Sequence, residues 1–155
     1  MINRLKAFRK ANLVERIVMF RSCPGLRTIS YYSLKFLGID LPKSVKVGKN
    51  VRFMHWSPGT VIHQYSEIED KVKVFQNVTL GRSDVYRTLK ESKMERILMK
   101  EGAILGAGAK VLCKEGTLIV GKNTVVGANS VLTNSTGDNE MWAGNPAVKV
   151  GNIPE

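Results

Sequence analysis

The sequence is short of several residue types, and each shortage excludes something. Among 155 residues there are two cysteines, Cys23 and Cys113, too few for the disulfide framework of a small secreted domain. There are two histidines, His55 and His63, one fewer than a three-histidine zinc site needs, and no metal-spaced cysteines make up the difference. No metal is therefore expected. Long apolar runs are absent: Arg9, Lys10, Glu15, Arg16 and Arg21 interrupt every candidate stretch near the N-terminus, which argues against a signal-peptide core or a membrane span there. The expected location is the cytoplasm.

Acidic residues are also scarce. The chain has 13 Asp and Glu against 24 Lys and Arg, a net charge of +11. Residues 1–40 hold eight basic side chains and two acidic ones, a net +6. Such a balance favours an anionic partner: a lipid surface, a polyanionic glycan, nucleic acid or the phosphates of a cofactor. No nucleic-acid motif and no basic face interleaved with aromatics is present, so nucleic acid is not expected. At 43% hydrophobic and 24% charged, the chain reads as one globular domain.

Residues 2–37 read as helical, with Leu5, Phe8, Leu13, Ile17 and Phe20 about a turn apart and charges between them. Pro24 and Gly25 divide this stretch into two helices. Residues 1–38 are expected to cap one end of the main domain. A basic amphipathic helix touching the inner membrane face is the other reading of the same residues.

From Leu41 the texture changes to a period of six. Leu41, Val47 and Phe53 are six apart, as are Ile62, Ile68, Val74 and Leu80, then Met99, Leu105 and Val111, then Val120, Val126 and Leu132. Four residues after many of these stands a small or β-branched residue: Val45, Val51, Ser66, Val72, Val78, Ala103, Ala109, Thr124 and Ser130. This is the hexapeptide repeat of a β-solenoid, in which three short strands close a triangular coil and coils stack at roughly 4.8 Å. The aliphatic residue points inward and the small one fits the inner corner. Three extra residues around Trp56–Pro58, a loop over 82–98 and three more between Val111 and Val120 break the register, and such corner insertions are where function is placed.

Two groups of motifs sit on this repeat. The first is His55-Trp56-Ser57-Pro58-Gly59-Thr60-Val61-Ile62-His63, followed by Gln76-Asn77-Val78-Thr79-Leu80-Gly81. The second is Gly106-Ala107-Gly108-Ala109-Lys110, then Val126-Gly127-Ala128-Asn129-Ser130, then Ala143-Gly144-Asn145-Pro146-Ala147. In this order they resemble the left-handed β-helix acetyltransferases, the branch of serine acetyltransferases and polysaccharide O-acetyltransferases. The resemblance implies a mainly β fold, a left-handed parallel β-helix over 39–150 with the protruding loop 82–98, a helical cap over 1–38 and a tail over 151–155. It also implies a homotrimer with sites between adjacent solenoids and acetyl-CoA as co-substrate.

Acetyl transfer from a thioester to a hydroxyl needs a base for the hydroxyl proton, stabilisation of the carbonyl oxygen and a site that holds both substrates. His55 is the expected base. In the resembling enzymes an aspartate fifteen residues before the histidine orients it, and Asp40 stands fifteen before His55. His63 is the competing base, or a solvated corner residue. Trp56, Tyr86 and Arg96 are candidates for acceptor contact. Ala107, Gly108, Ala128 and Gly144 are candidates for the CoA groove, Lys110 and Lys149 for its phosphates, and Trp142 for its adenine. For small residues, packing at solenoid corners is the ordinary alternative, and for Trp142 it is burial in the core. Cys113 reads as a packing residue.

Serine acetyltransferases carry an aspartate just before the catalytic histidine and an Arg-His pair before the later coil, and these hold the amino acid. Met54, Glu95 and Arg96 stand at those places here, and the long helical N-terminal domain has no counterpart in these residues. The expected acceptor is therefore a sugar hydroxyl of a capsular, exopolysaccharide or lipopolysaccharide unit, anionic or lipid-linked. Serine is the alternative acceptor. A non-enzymatic solenoid scaffold is the alternative of another class.

Overall fold

A computed structural model of the chain describes residues 10–23 and 25–154. Helix expected over residues 2–9, with Leu5 and Phe8, lies outside the described residues, as does Pro24. Two helices follow, α1 (Leu13–Phe20) and α2 (Leu26–Phe36). Asn12 caps α1 reciprocally with Glu15: Asn12 Oδ1 accepts from the Glu15 N–H and Glu15 Oε2 accepts from the Asn12 N–H, both at 2.9 Å. Gly25, at φ 82°, starts α2 in a conformation that suits glycine.

Short strands then wind three at a time. The first coil is β1 (Lys46–Val47), β2 (Arg52–Phe53) and β3 (Val61–Ile62). The second is β4 (Ser66–Ile68), β5 (Lys73–Val74) and β6 (Thr79–Arg82). The third is β7 (Lys93–Met99), β8 (Ile104–Leu105) and β9 (Lys110–Cys113), and the fourth β10 (Glu115–Val120), β11 (Val125–Val126) and β12 (Val131–Leu132). A hairpin of β13 (Glu140–Gly144) and β14 (Ala147–Asn152) closes the stack.

Three sheets form the faces of a prism: β1-β4-β7-β10, then β2-β5-β8-β11-β13-β14, then β3-β6-β9-β12, parallel throughout except for the antiparallel β13–β14 pair. Pairing places the period-six residues in columns: Val47–Ile68–Met99–Val120 on the first face, Phe53–Val74–Leu105–Val126–Trp142 on the second, Ile62–Leu80–Val111–Leu132 on the third. Apart from Val47 and Trp142, which are partly buried, all are buried, and so are the small residues four positions on. At about 25 cal/mol per Å² of apolar surface removed from water, these columns are the main stabilising force, and each coil obtains it only from its neighbours.

The protruding loop is shorter than the repeat implied. Arg82 ends β6 and Lys93 already begins β7, leaving residues 83–92 as the loop. The reason is that β7 lengthens to pair with β10, burying Met94, which lies off the six-residue period, and Ile97, a bulky residue six before Ala103 in the series of small corner residues. Likewise the last strand runs to Asn152, into the expected tail, because Gly151 and Asn152 pair with Met141 and Glu140.

Candidate active site

His55 sits in the turn between β2 and β3. Here three non-glycine residues in succession are left-handed: His55 at φ 53°, Trp56 at 64° and Ser57 at 50°. Each costs about 1–2 kcal/mol, so the surroundings must hold them. Ser57 is fully buried, and its hydroxyl is within hydrogen-bond distance of the Val74 and Met54 carbonyls, at 2.7 and 3.0 Å. The turn leaves His55 exposed, with its ring 5.8 Å from that of Phe75 one coil on, and Trp56 half-exposed beside it.

Asp40 lies under the far end of the same turn. The Gly59 N–H donates to the Gly38 carbonyl, the Asp40 N–H to the Thr60 carbonyl and the Ile62 N–H to the Asp40 carbonyl, at 2.8–2.9 Å. Asp40 Oδ2 is 3.5 Å from Lys35 Nζ, while Oδ1 is buried and accepts no hydrogen bond. Among the described residues no hydrogen bond joins Asp40 to His55.

Four of the expected groove residues fall on this same edge of the prism, between the second and third faces. The Asn77 N–H reaches down to the Pro58 carbonyl, Gly108 to Gln76 and Asn129 to Ala107, at 2.8–2.9 Å, and Gly144 donates to Ser130 Oγ at 3.1 Å. His55, Gln76, Ala107–Gly108, Ala128 and Gly144 therefore run along one line. Ala107 is half-buried, Ala128 exposed, and both leave the backbone open. Gly106 and Gly108 are demanded by coil stacking itself: a Cβ on Gly106 would lie 2.7 Å from the Ala128 nitrogen, and one on Gly108 would collide with Asn129 Oδ1. Gln76 stands in the first motif group but is not among the expected groove residues. Its Oε1 is buried without a partner on this edge. The signal available was its place at the head of Gln76-Asn77-Val78-Thr79, one coil on from the His55 turn.

Other candidates are placed elsewhere or already engaged. Lys110 Nζ donates to the Asn77 and Gly108 carbonyls, both at 3.0 Å. Lys149 Nζ pairs with Glu140 Oε1 at 2.8 Å, and the Trp142 indole N–H donates to Glu140 Oε2 at 2.8 Å. Those two bonds, from Lys149 and then Trp142, hold the Glu140 carboxyl down at about 2. The Trp142 ring tops the second-face column and packs on the core. Arg96 lies on the first face, 3.7 Å from Glu67, opposite the His55 edge of the same chain. Tyr86 is exposed on the 83–92 loop, which leaves the edge between the third and first faces. His63 is on that edge too. Its Nδ1 accepts from the Tyr65 N–H at 3.3 Å, and burial, then the Arg82 guanidinium, pull its imidazole below the ordinary 6.5. Cys113 is buried, with its thiol at 3.5 Å from two carbonyls and burial pushing its pKa up, as suits a packing residue.

The fold and this edge define the class: a left-handed parallel β-helix of hexapeptide repeats. No family model matches the chain. Its sequence is similar to that of the serine acetyltransferase of Haemophilus influenzae, 38% identical over 109 residues, which cover 70% of this chain and 38% of that protein. A solved serine acetyltransferase in complex with CoA superposes with a TM-score of 0.64 at 31% identity, over 80% of this chain and 48% of the other. The serine acetyltransferase of Brucella abortus strain S19 gives a TM-score of 0.68 at 28% identity, over 83% and 50%. The β-helical part of the chain is thus of the same hexapeptide-repeat kind as that of serine acetyltransferases, and the chain spans half or less of the length of these relatives.

Proposed function

We propose that the chain is an acetyl-CoA-dependent O-acetyltransferase in which His55 takes the proton of an acceptor hydroxyl and Asp40 orients the imidazole. The observation that carries this is the single edge on which His55, Gln76, Ala107, Gly108, Ala128 and Gly144 stack. The residues fit the thin, amide-bearing arm of CoA: small side chains leave the backbone open, and the orphaned Gln76 Oε1 matches an amide N–H. The buried, unpartnered Asp40 Oδ1 likewise wants a donor, which an imidazole N–H supplies. In the reaction the hydroxyl oxygen bonds to the thioester carbonyl carbon as its proton passes to His55; the C–S bond then breaks, and the leaving sulfur takes that proton from His55 and departs as the CoA thiol.

For the acceptor, the relatives are named for serine, and none of those reported is named for a glycan. Serine is accordingly the leading acceptor, and the sugar expectation gains nothing from them. A second reading, a hydroxyl compound other than serine, is favoured by Met54, Glu95 and Arg96 at the places where resembling enzymes hold the amino acid. Glu95 is occupied with the Thr117 hydroxyl at 3.1 Å and Arg96 with Glu67. Release of CoA thiol from acetyl-CoA is measured with and without serine. Serine-dependent release that falls about 10²–10⁴-fold in His55→Ala is the expected result. Release unaffected by the substitution overturns the mechanism, and release only with other hydroxyl compounds selects the second reading.

A further inference from the structure

The turn carrying His55 is costly in backbone conformation, and its two ends are held by different parts of the molecule. Ser57 pins the far end inside the coil. The near end is Phe53, in β2, which is the edge strand of its sheet. The Arg52 N–H is used toward β5, donating to the Val72 carbonyl at 2.8 Å. The N–H and carbonyl of Phe53 face the other way, where no strand lies.

Helix α1 fills that place with two side chains. Asn12 Nδ2 donates to the Phe53 carbonyl at 2.7 Å, and Glu15 Oε1 accepts from the Phe53 N–H at 3.1 Å and from Arg52 Nε at 2.7 Å. Glu15 is buried. These are the same two residues that cap α1, and each divides its polar atoms between the tasks. Asn12 gives Oδ1 to the cap and Nδ2 to Phe53, while Glu15 gives Oε2 to the cap and Oε1 to Phe53. The whole polar capacity of the Phe53 backbone is thus satisfied by residues 38 and 41 positions away.

We infer that the capping box of α1 is also a clamp on Phe53, and that Asn12 and Glu15 are positioning residues for His55, two residues further on. The exposed imidazole makes no hydrogen bond among the described residues, so its place is set by the backbone that bears it. The inference rests on the reading of His55 as the base, and extends the role of the helical segment from covering the end of the solenoid to setting the geometry of its active turn.

Asn12→Asp separates the two tasks. Aspartate caps a helix as well as asparagine does, but it has no N–H for the Phe53 carbonyl. The expected result is a folded protein whose kcat falls about 10-fold, since small displacements of a catalytic group cost that much. KM for acetyl-CoA is expected to stay unchanged. Because the chain has only two histidines, 1H–15N spectra resolve the imidazoles directly: the His55 signal moves or broadens while that of His63 stays in place. Val14→Ala, which thins the core packing of α1 but keeps both side chains that bond the Phe53 backbone, leaves kcat and the His55 signal unchanged. A folded Asn12→Asp variant with wild-type kcat and an unmoved His55 signal overturns the inference. If Asn12→Asp does not fold, Glu15→Gln, which retains one acceptor oxygen for the three N–H donors of Asn12, Arg52 and Phe53, is read in the same way. If the wild-type protein transfers no acetyl group, the functional reading fails, and the His55 spectrum alone still decides for or against the clamp.

Discussion

The two histidines differ in what surrounds them. His63 is partly buried beside Arg82, and both effects favour the neutral ring. Its folded value lies below the unfolded 6.5, so the unfolded chain binds the proton more readily. Stability is therefore lost as pH falls from 6.5 toward the folded midpoint of His63, and His63→Gln removes that component. An NMR titration is expected to show His63 neutral at pH 7 with a midpoint under 6.5; a midpoint above it would contradict the packing described. Gln76 makes a second test at this scale. Replacing a side chain that leaves a polar atom buried and unsatisfied with an apolar one of similar shape costs little stability and can add some. Gln76→Met is therefore expected to keep the melting temperature, and to raise KM for acetyl-CoA if the orphaned oxygen serves the cofactor arm. Neither environment was legible in the sequence. Partnerless atoms and a neighbouring guanidinium are products of coil stacking, and spacing alone shows only that His55 and Asp40 are fifteen apart.

At the scale of elements, the period of six carried most of the fold, because in a solenoid each strand repeats the same burial problem. It failed where burial left the period. Met94 is buried off the period, and the bulky Ile97 fills a place where the repeat has small residues, so β7 is longer and the loop shorter than the repeat implied. The left-handed turn at His55–Ser57 was seen only as three surplus residues, since nothing in Trp56 or Ser57 announces a positive φ. At the C-terminal hairpin the sequence did not show that Lys149 and Trp142, both candidates for cofactor contact, converge on Glu140, which also accepts from the Gly137 N–H at 2.7 Å. That arrangement has a pH signature. A carboxyl held at about 2 against an ordinary 4.5 contributes stability that is fully present above 4.5 and is lost as pH falls through about 2. In a Trp56→Phe background, where Trp142 is the only tryptophan, its fluorescence is expected to report hairpin loosening across that window. Glu140→Gln should show the loosened emission already at neutral pH.

At the scale of the whole molecule, charge and apolar exposure coincide. No acidic residue occurs between Glu15 and Asp40, while Arg16, Arg21, Arg27 and Lys35 do. Arg21 is turned inward onto the Leu41, Pro42 and Val45 carbonyls, leaving Arg27, Lys35 and Lys43 exposed around α2. On that helix Ile29, Tyr32 and Phe36, at spacings that share one face, are 62%, 62% and 91% exposed. Among the described residues no helix is long and apolar enough to cross a membrane; an apolar stripe flanked by cations is the pattern of a helix that lies on an anionic surface. A second copy of the chain would set one cationic flank against another. An anionic lipid surface satisfies both the apolar stripe and its charges, and the protein is expected to co-sediment with vesicles containing phosphatidylglycerol and not with phosphatidylcholine alone. High salt should release it, because the attraction of exposed charges is screened. Phe36→Ser should weaken binding about 10-fold or more, the worth of one inserted aromatic side chain. Equal binding to neutral vesicles, or none to anionic ones, defeats the expectation, and a concentration-dependent dimer lost in Phe36→Ser would assign the face to a second copy instead.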